Sequence, residues 1–171
     1  MKVILVDKNN RKVGEEEKMA AHRKAKLHRA FSVFIFNSKK EMLLQKRSSR
    51  KYHCGGLWSN ACCSHPYPGE KTKSAAKRRL REEMGFETPI YKVFSFIYNE
   101  KVGNLTEYEF DYVFVGSYDG TIKPNRREVE DYKYLSLEKL EKDIRKNPSH
   151  YTPWLKIALE EGRDVFHKIL C

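Results

Sequence analysis

The chain has 171 residues, 40% of them apolar and 33% charged. This length suits one domain, and a chain of this size buries enough surface to fold without disulfide or metal staples. Thirty-four basic residues against 23 acidic ones give a formal net charge of +11. The cations are scattered along the whole chain, which describes a solvated surface with room for one small polyanion site. No apolar run reaches membrane-spanning length, and Met1–Val6 is interrupted too soon by Asp7 and Lys8 to be a secretory leader. The expectation is a cytoplasmic protein, a monomer or at most a homodimer, that binds neither membrane nor nucleic acid. Its four cysteines, Cys54, Cys62, Cys63 and Cys171, are expected to be reduced thiols.

In chain order, Val3 to Val6 reads as a short strand. Glu15 to Lys26 is charged and reads as a short helix or an ordered arm. The low apolar content of Lys8 to Lys26 predicts an arm that orders only when ligands bind. Ala30 to Phe36 is a run of β-branched and aromatic residues, predicting a buried strand. Asn37–Lys40 is a turn, and Glu41 to Arg47 returns as a hairpin partner. Tyr52 to Pro68 holds glycines, prolines, histidines and three cysteines without a clean period. It reads as a long ordered loop around a short strand, of the kind that carries function.

Glu70 to Met84 has Ala75, Ala76, Leu80 and Met84 at helical spacing, and Gly85 stops the helix. Ile90 to Tyr98 and Thr106 to Gly116 are predicted strands. In the second, Glu107, Glu109, Asp111, Val113 and Val115 share one face, and Tyr108, Phe110, Tyr112 and Phe114 the other. Tyr132 to Leu135 is a last strand. Ser136 caps a helix running to Arg145, and Thr152-Pro153 opens another. Strands and helices mix without strict alternation, which predicts an α/β fold with a mixed β-sheet sandwiched between α-helices, formed as one domain over 1–171.

The acids and histidines come next. Glu107 and Glu109 lie two apart on a strand, so both carboxylates face one side and repel unless a cation joins them. Read alone, that face is a polar solvated surface. Together with His22, His28 and His65 it becomes a mixed imidazole–carboxylate set suited to zinc, manganese or iron. A zinc ribbon built from Cys54, Cys62, Cys63 and His65 lacks the paired, closely spaced ligands it needs.

The helix ends Arg78-Arg79-Leu80-Arg81-Glu82-Glu83-Met84-Gly85-Phe86. This resembles the Nudix box, Gly-x5-Glu-x7-Arg-Glu-U-x-Glu-Glu-x-Gly-U with U apolar. Glu70, Arg78, Leu80, Glu82, Glu83, Gly85 and Phe86 match it. Ser64 stands at its first glycine, and Arg79 at the glutamate after the arginine. The altered box stands beside Trp58-Ser59-Asn60-Ala61-Cys62-Cys63-Ser64-His65-Pro66. Ala20-Ala21-His22, Leu27-His28-Arg29-Ala30-Phe31-Ser32, Glu107-Tyr108-Glu109 and Tyr151-Thr152-Pro153-Trp154 complete a set that resembles type 1 isopentenyl-diphosphate isomerase, in that family's order and across nearly the whole chain.

The resemblance implies a Nudix-like fold and conversion of isopentenyl diphosphate to dimethylallyl diphosphate. It implies that His22, His28, His65, Glu107 and Glu109 hold a divalent metal (Mn²⁺, Mg²⁺ or Zn²⁺), two of them from an N-terminal arm spanning 1–28. Glu83 would help hold a diphosphate-bridging Mg²⁺. Cys63 and Glu109 would be the catalytic pair, with Tyr98 assisting at Glu109. Lys18, Arg47, Lys51 and Arg79 would contact the diphosphate, and Trp154 the hydrocarbon tail. In this scheme the Glu109–Tyr98 side delivers a proton and Cys63, as thiolate, accepts one, or the two roles are exchanged. Two other readings compete. A Nudix hydrolase of a nucleoside diphosphate derivative would leave Cys63 and His65 without a role. An RNA-binding module would use the +11 charge but would carry Glu107, Glu109 and Asp111 along its binding strand.

Overall fold

The computed structural model describes residues 1–170, so Cys171 lies outside the described residues. The nine strands form one mixed sheet. Its N-terminal hairpin joins β1 (Lys2–Val6) to β2 (Lys12–Glu17), followed by the short helix α1 (Lys18–Arg23). Here the structure departs from the expected arm or helix beginning at Glu15. Glu15, Glu16 and Glu17 are strand residues paired with Ile4, Val3 and Lys2. The apolar side chains that anchor them are Val3, Ile4 and Val6 on β1 and Ala21 on α1, all buried.

The centre of the sheet is β3 (His28–Phe36). Along one edge it pairs in parallel with β8 (Leu105–Ser117), in register from His28↔Glu109 to Phe36↔Ser117. Its other edge is divided among three partners. Leu5 of β1 pairs with His28, and β6 (Cys62–Ser64) pairs with Phe31, Ser32 and Val33. β4 (Glu41–Arg47) pairs with β3 only at Phe36↔Met42. The expected hairpin is therefore real at its tip and open below it. β4 instead pairs with β5 (Trp58–Asn60) and β9 (Val129–Ser136). The opening makes room for β6, which carries Cys63, against the middle of β3.

Alternation along β3 builds two cores. Phe31, Val33 and Ile35 face one side, where Ala75, Ala76, Leu80 and Met84 of α2 (Thr72–Met84) cover them. Phe34 and Phe36 face the other, covered by Leu140 of α3 (Leu137–Lys146), by Trp154, Leu155 and Ala158 of α4 (Pro153–Glu161), and by Phe166 of α5 (Arg163–Leu170). Because β3 is buried on both faces, its residues from Ala30 to Phe36 are apolar on both faces, with Ser32 the one polar position, rather than alternating. The same alternation separates the adjacent cysteines: Cys62 joins the α2 core, and Cys63 turns to the other face. Ser136 caps α3 as expected, accepting from Lys139 N. No signal at Arg163 announced α5.

β7 (Ile90–Val102) pairs only with β8 and ends past the expected Tyr98. Gly85 ends α2 with φ 76°, in the left-handed region. A Cβ there would lie 2.1 Å from the Lys123 carbonyl oxygen. Gly85→Ala combines that clash with a disfavoured φ and should destabilise by more than about 1 kcal/mol. The check is a lower urea midpoint at unchanged m-value.

Candidate active site

A cleft of about 70 Å³ lies on the face of the sheet that carries His28, Ser32 and Glu109, and Arg79 and Glu83 of α2 are among its lining residues. The registers explain its contents. His28 and Ser32 of β3 face it. On one flank Glu109 of β8 is level with His28, and on the other Cys63 of β6 is level with Ser32. Glu107 and Glu109 also share this face as expected, yet it is not a solvated surface. Glu107, Glu109 and Asp111 are 3%, 6% and 1% exposed.

Three imidazoles gather at Glu109. His22, His28, His65 and Glu109 offer donor atoms that all lie within 4.8 Å of one another. Glu109 Oε1 is 2.7 Å from His65 Nε2, 3.4 Å from His28 Nε2 and 4.0 Å from His22 Nε2. The far ring nitrogens of two of them are anchored on backbone: His22 Nδ1 bonds Lys18 O at 2.7 Å, and His28 Nδ1 bonds Lys26 O at 2.8 Å. A carbonyl can only accept, so each Nδ1 carries the proton and each Nε2 presents a lone pair inward, the arrangement of a metal-ligating imidazole. His22 Nε2 is buried without a hydrogen-bond partner. Burial pushes the His65 imidazole down to about 3, so it is neutral. Buried lone pairs and a carboxylate oxygen converging on one point are what a divalent cation satisfies, and the residues present fit one. Glu107, the fifth expected ligand, stands beside this group. Its Oε2 is 3.3 Å from His22 Nε2, while Oε1 turns to His53 Nε2 at 2.7 Å.

The remaining expected residues line the same cleft. Burial, reinforced by Asp111, pushes the Cys63 thiol up to about 12. Its Sγ donates to Asn60 Oδ1 at 3.0 Å. Tyr98 Oη donates to Glu109 Oε2 at 2.6 Å. Burial opposes ionisation of Glu109, but His65 and His28 outweigh it and hold the carboxyl well below the usual range. The resting site thus carries its proton on Cys63 and its charge on Glu109.

Lys18, Arg47, Lys51 and Arg79 line the cleft together with Glu83. Arg79 donates to Glu83 Oε1, and Gln45 Nε2 donates to Glu83 Oε2 at 2.9 Å. Arg78, a residue the box does match, is engaged instead in a two-pronged pair with Glu70 at 2.8 and 2.9 Å. Trp154 is anchored by Nε1 donating to Ser59 Oγ at 2.9 Å, with the Arg47 guanidinium 5.1 Å from its ring centre. Sequence reasoning missed Ser32, Tyr52 and His53 as cleft residues. Tyr52 and His53 stood inside the segment marked as functional, but no spacing rule linked His53 to Glu107, 54 positions away.

The NUDIX domain family model matches residues 26–155. Similar folds include a crystallised protein of Deinococcus radiodurans (TM-score 0.77, 19% identity, 92% of this chain and 96% of that one). Another is a MutT protein of Methanosarcina mazei (TM-score 0.63, 22% identity, 83% and 91%). At those identities the likeness speaks for the fold alone, and the fold together with a metal-ready, cation-lined cleft defines the class as NUDIX. Within the class, the relatives include isopentenyl-diphosphate Delta-isomerase 2 of Aromatoleum aromaticum, 51% identical over 92% of this chain and 84% of that protein. The isomerase of Pectobacterium atrosepticum is 44% identical over 96% and 92%. The chain belongs to the isopentenyl-diphosphate Delta-isomerase family of NUDIX proteins. Among the described residues, no helix is long and apolar enough to cross a membrane.

Proposed function

We propose that the protein moves the double bond of isopentenyl diphosphate from C3–C4 to C2–C3, giving dimethylallyl diphosphate, with Cys63 and Glu109 as the proton-transfer pair. The observation that carries this reading is the pairing itself. A half-buried thiol and a tyrosine-bonded carboxylate stand on opposite flanks of β3 in one cleft. Hydrolysis of a nucleoside diphosphate derivative has no use for that pair. It would also need the helix carboxylate whose box position Arg79 occupies, and Arg79 instead neutralises Glu83.

The reaction adds a proton to an unactivated alkene carbon, C4, and removes one from C2 through a tertiary cation. The acid and the base must therefore flank the substrate, each within reach of its carbon. Protonating an alkene demands the stronger acid, a carboxyl. Abstracting the C2 proton suits the stronger base, a thiolate. The working form has its proton on Glu109 and its charge on Cys63, so it is a tautomer of the resting form with the same number of bound protons. Tyr98, kept a phenol by burial and by Glu109, steadies that carboxyl. A divalent ion held by His22, His28, His65, Glu107 and Glu109 supplies the fixed positive charge that orients Glu109. Three nitrogen donors favour Mn²⁺ or Zn²⁺ there over Mg²⁺. Mg²⁺ suits Glu83 and the diphosphate oxygens. Lys18, Arg47, Lys51 and Arg79 bind the diphosphate, the arginines by their fork geometry. The Trp154 ring faces the tail and stabilises the cation by about 0.5–2 kcal/mol. Water must be excluded when the cation forms, or it is trapped as an alcohol.

The test is incubation of metal-loaded protein with isopentenyl diphosphate and Mg²⁺, watching for an acid-labile allylic product. No product, alongside hydrolysis of nucleotide substrates, would sink this reading. A pH prediction follows from the shared proton count. The pair loses its shared proton on the basic side only as free Cys63 ionises, and burial has moved that to about 12. Apart from the loss of the Lys18 charge, which burial brings below the ordinary lysine value, kcat/KM should show no limb from about pH 7 to about pH 10. A basic limb near about pH 8.5, the ordinary cysteine value, would show that Cys63 is not buried in the working protein.

A further inference from the structure

Glu107 is buried at 3% exposure two residues from Glu109 on the same strand face, so the two carboxylates repel. Nothing in the expected ligand set holds Glu107 on its outer side. The structure does, through His53. That residue stands in the loop after β4, its side chain 10% exposed, with Nε2 2.7 Å from Glu107 Oε1. Its ring is wedged between Tyr52 and Trp154, at centroid distances of 4.2 and 5.6 Å. Its carbonyl accepts from Arg47 Nη2 at 3.3 Å. His53 thus meets one oxygen of this carboxylate, and His22 Nε2 lies 3.3 Å from the other.

We propose that His53 is a positioning residue: it fixes Glu107 against the His22–His28–His65–Glu109 group and ties that group to the Trp154 wall of the cleft. The inference rests on reading Glu107 as a ligand of the metal that this group fits. Partners of this kind, outside the ligand set, hold a coordinating carboxylate in its productive orientation, and losing one costs roughly 10- to 100-fold in metal affinity or activity. His53 also explains why a loop carrying glycines can serve the site. The aromatic wedge gives the side chain a fixed place that its backbone does not.

The experiment compares His53→Ala and His53→Gln in the full chain, stripped of metal and titrated with Co²⁺ and Zn²⁺ against a chromophoric chelator. The Co²⁺ visible spectrum, kcat and KM are recorded alongside. For His53→Ala we expect metal affinity weakened roughly 10- to 100-fold and an altered Co²⁺ spectrum. We also expect kcat to fall while KM stays within about threefold, because the diphosphate contacts lie elsewhere in the cleft. His53→Gln, whose amide nitrogen can donate near the place of Nε2, should recover most of both. Should His53→Ala not fold, His53→Leu keeps the bulk without the donor and serves in its place. A folded donor-less variant with the parent's metal affinity and Co²⁺ spectrum would overturn the proposal. The affinity measurement needs no turnover, so failure of the isomerase reading would appear in the parent's activity and not in this comparison.

Discussion

Replacing Cys63 with alanine is expected to lower kcat for isopentenyl diphosphate by roughly 10²- to 10⁴-fold, the usual range for losing a general acid or base. KM should change little, because Lys18, Arg47, Lys51 and Arg79, the proposed diphosphate contacts, stand on other elements. The fold should survive. Cys63 sits on the cleft face of β6, its strand bonds to β3 are backbone bonds, and Cys62 fills the α2 core behind it. Removing Sγ frees Asn60 Oδ1, but Asn60 keeps its other anchors, donating from Nδ2 to Val33 O and Cys62 O. Cys63→Ser keeps the hydrogen bond to Asn60 and should still lose most of the rate, since a hydroxyl is harder to ionise than a thiol. Product formation, a thermal unfolding midpoint and substrate binding decide the matter together. A folded Cys63→Ala protein with the parent's rate would remove Cys63 from the mechanism while leaving the fold and the family intact.

His65→Ala should abolish metal binding and activity together. His65 Nε2 makes the shortest contact to Glu109 Oε1, and burial keeps its ring neutral and able to ligate. Deleting it opens one side of the donor group and leaves Glu109 with a buried oxygen facing fewer partners. A loss of at least about 100-fold in metal affinity is expected, the upper end for supporting partners, because His65 would be a ligand itself. The rate should fall with metal content, and parent protein treated with a chelator should show the same loss, reversed by Mn²⁺. Metal content measured on the purified variant is the decisive number. Content equal to the parent's would take His65 out of the ligand set. The two substitutions separate the site's parts: Cys63→Ala keeps the metal and loses proton transfer, and His65→Ala loses both.

The substitution of Arg79 within an otherwise intact box has a plain physical result. A helix carboxylate that could have helped bind a hydrolytic metal is replaced by a cation that neutralises Glu83 and faces the cleft. One helix therefore keeps its anion-binding frame while losing the acidic cluster that would activate water. The proposed proton transfer falls instead to the thiol and the carboxylate that flank β3.

What the sequence determined by itself was whatever depends on short-range geometry. Period two placed Glu107, Glu109 and Asp111 on one face of β8, and period 3.6 with a left-handed glycine ended α2 at Gly85. Family-ordered motifs then named the site residues. The tertiary structure decided whatever depends on which strands meet. Nothing local in Ala30–Phe36 says that β3 takes β8 in parallel on one edge and divides the other among β1, β6 and β4. Yet that arrangement sets Cys63 and Glu109 on opposite flanks of one strand. The strand at Lys12–Glu17 was hidden because its charged residues read as helix until β1 pairs with them. Protonation was out of reach for the same reason. A cysteine is an ordinary thiol in the sequence, and only the walls around Cys63 raise it to about 12. His53 and Glu107 meet only because the loop after β4 folds over the end of β8. Pairing across long separations is a property of the whole packed chain, and the local pattern of either residue carries no trace of it.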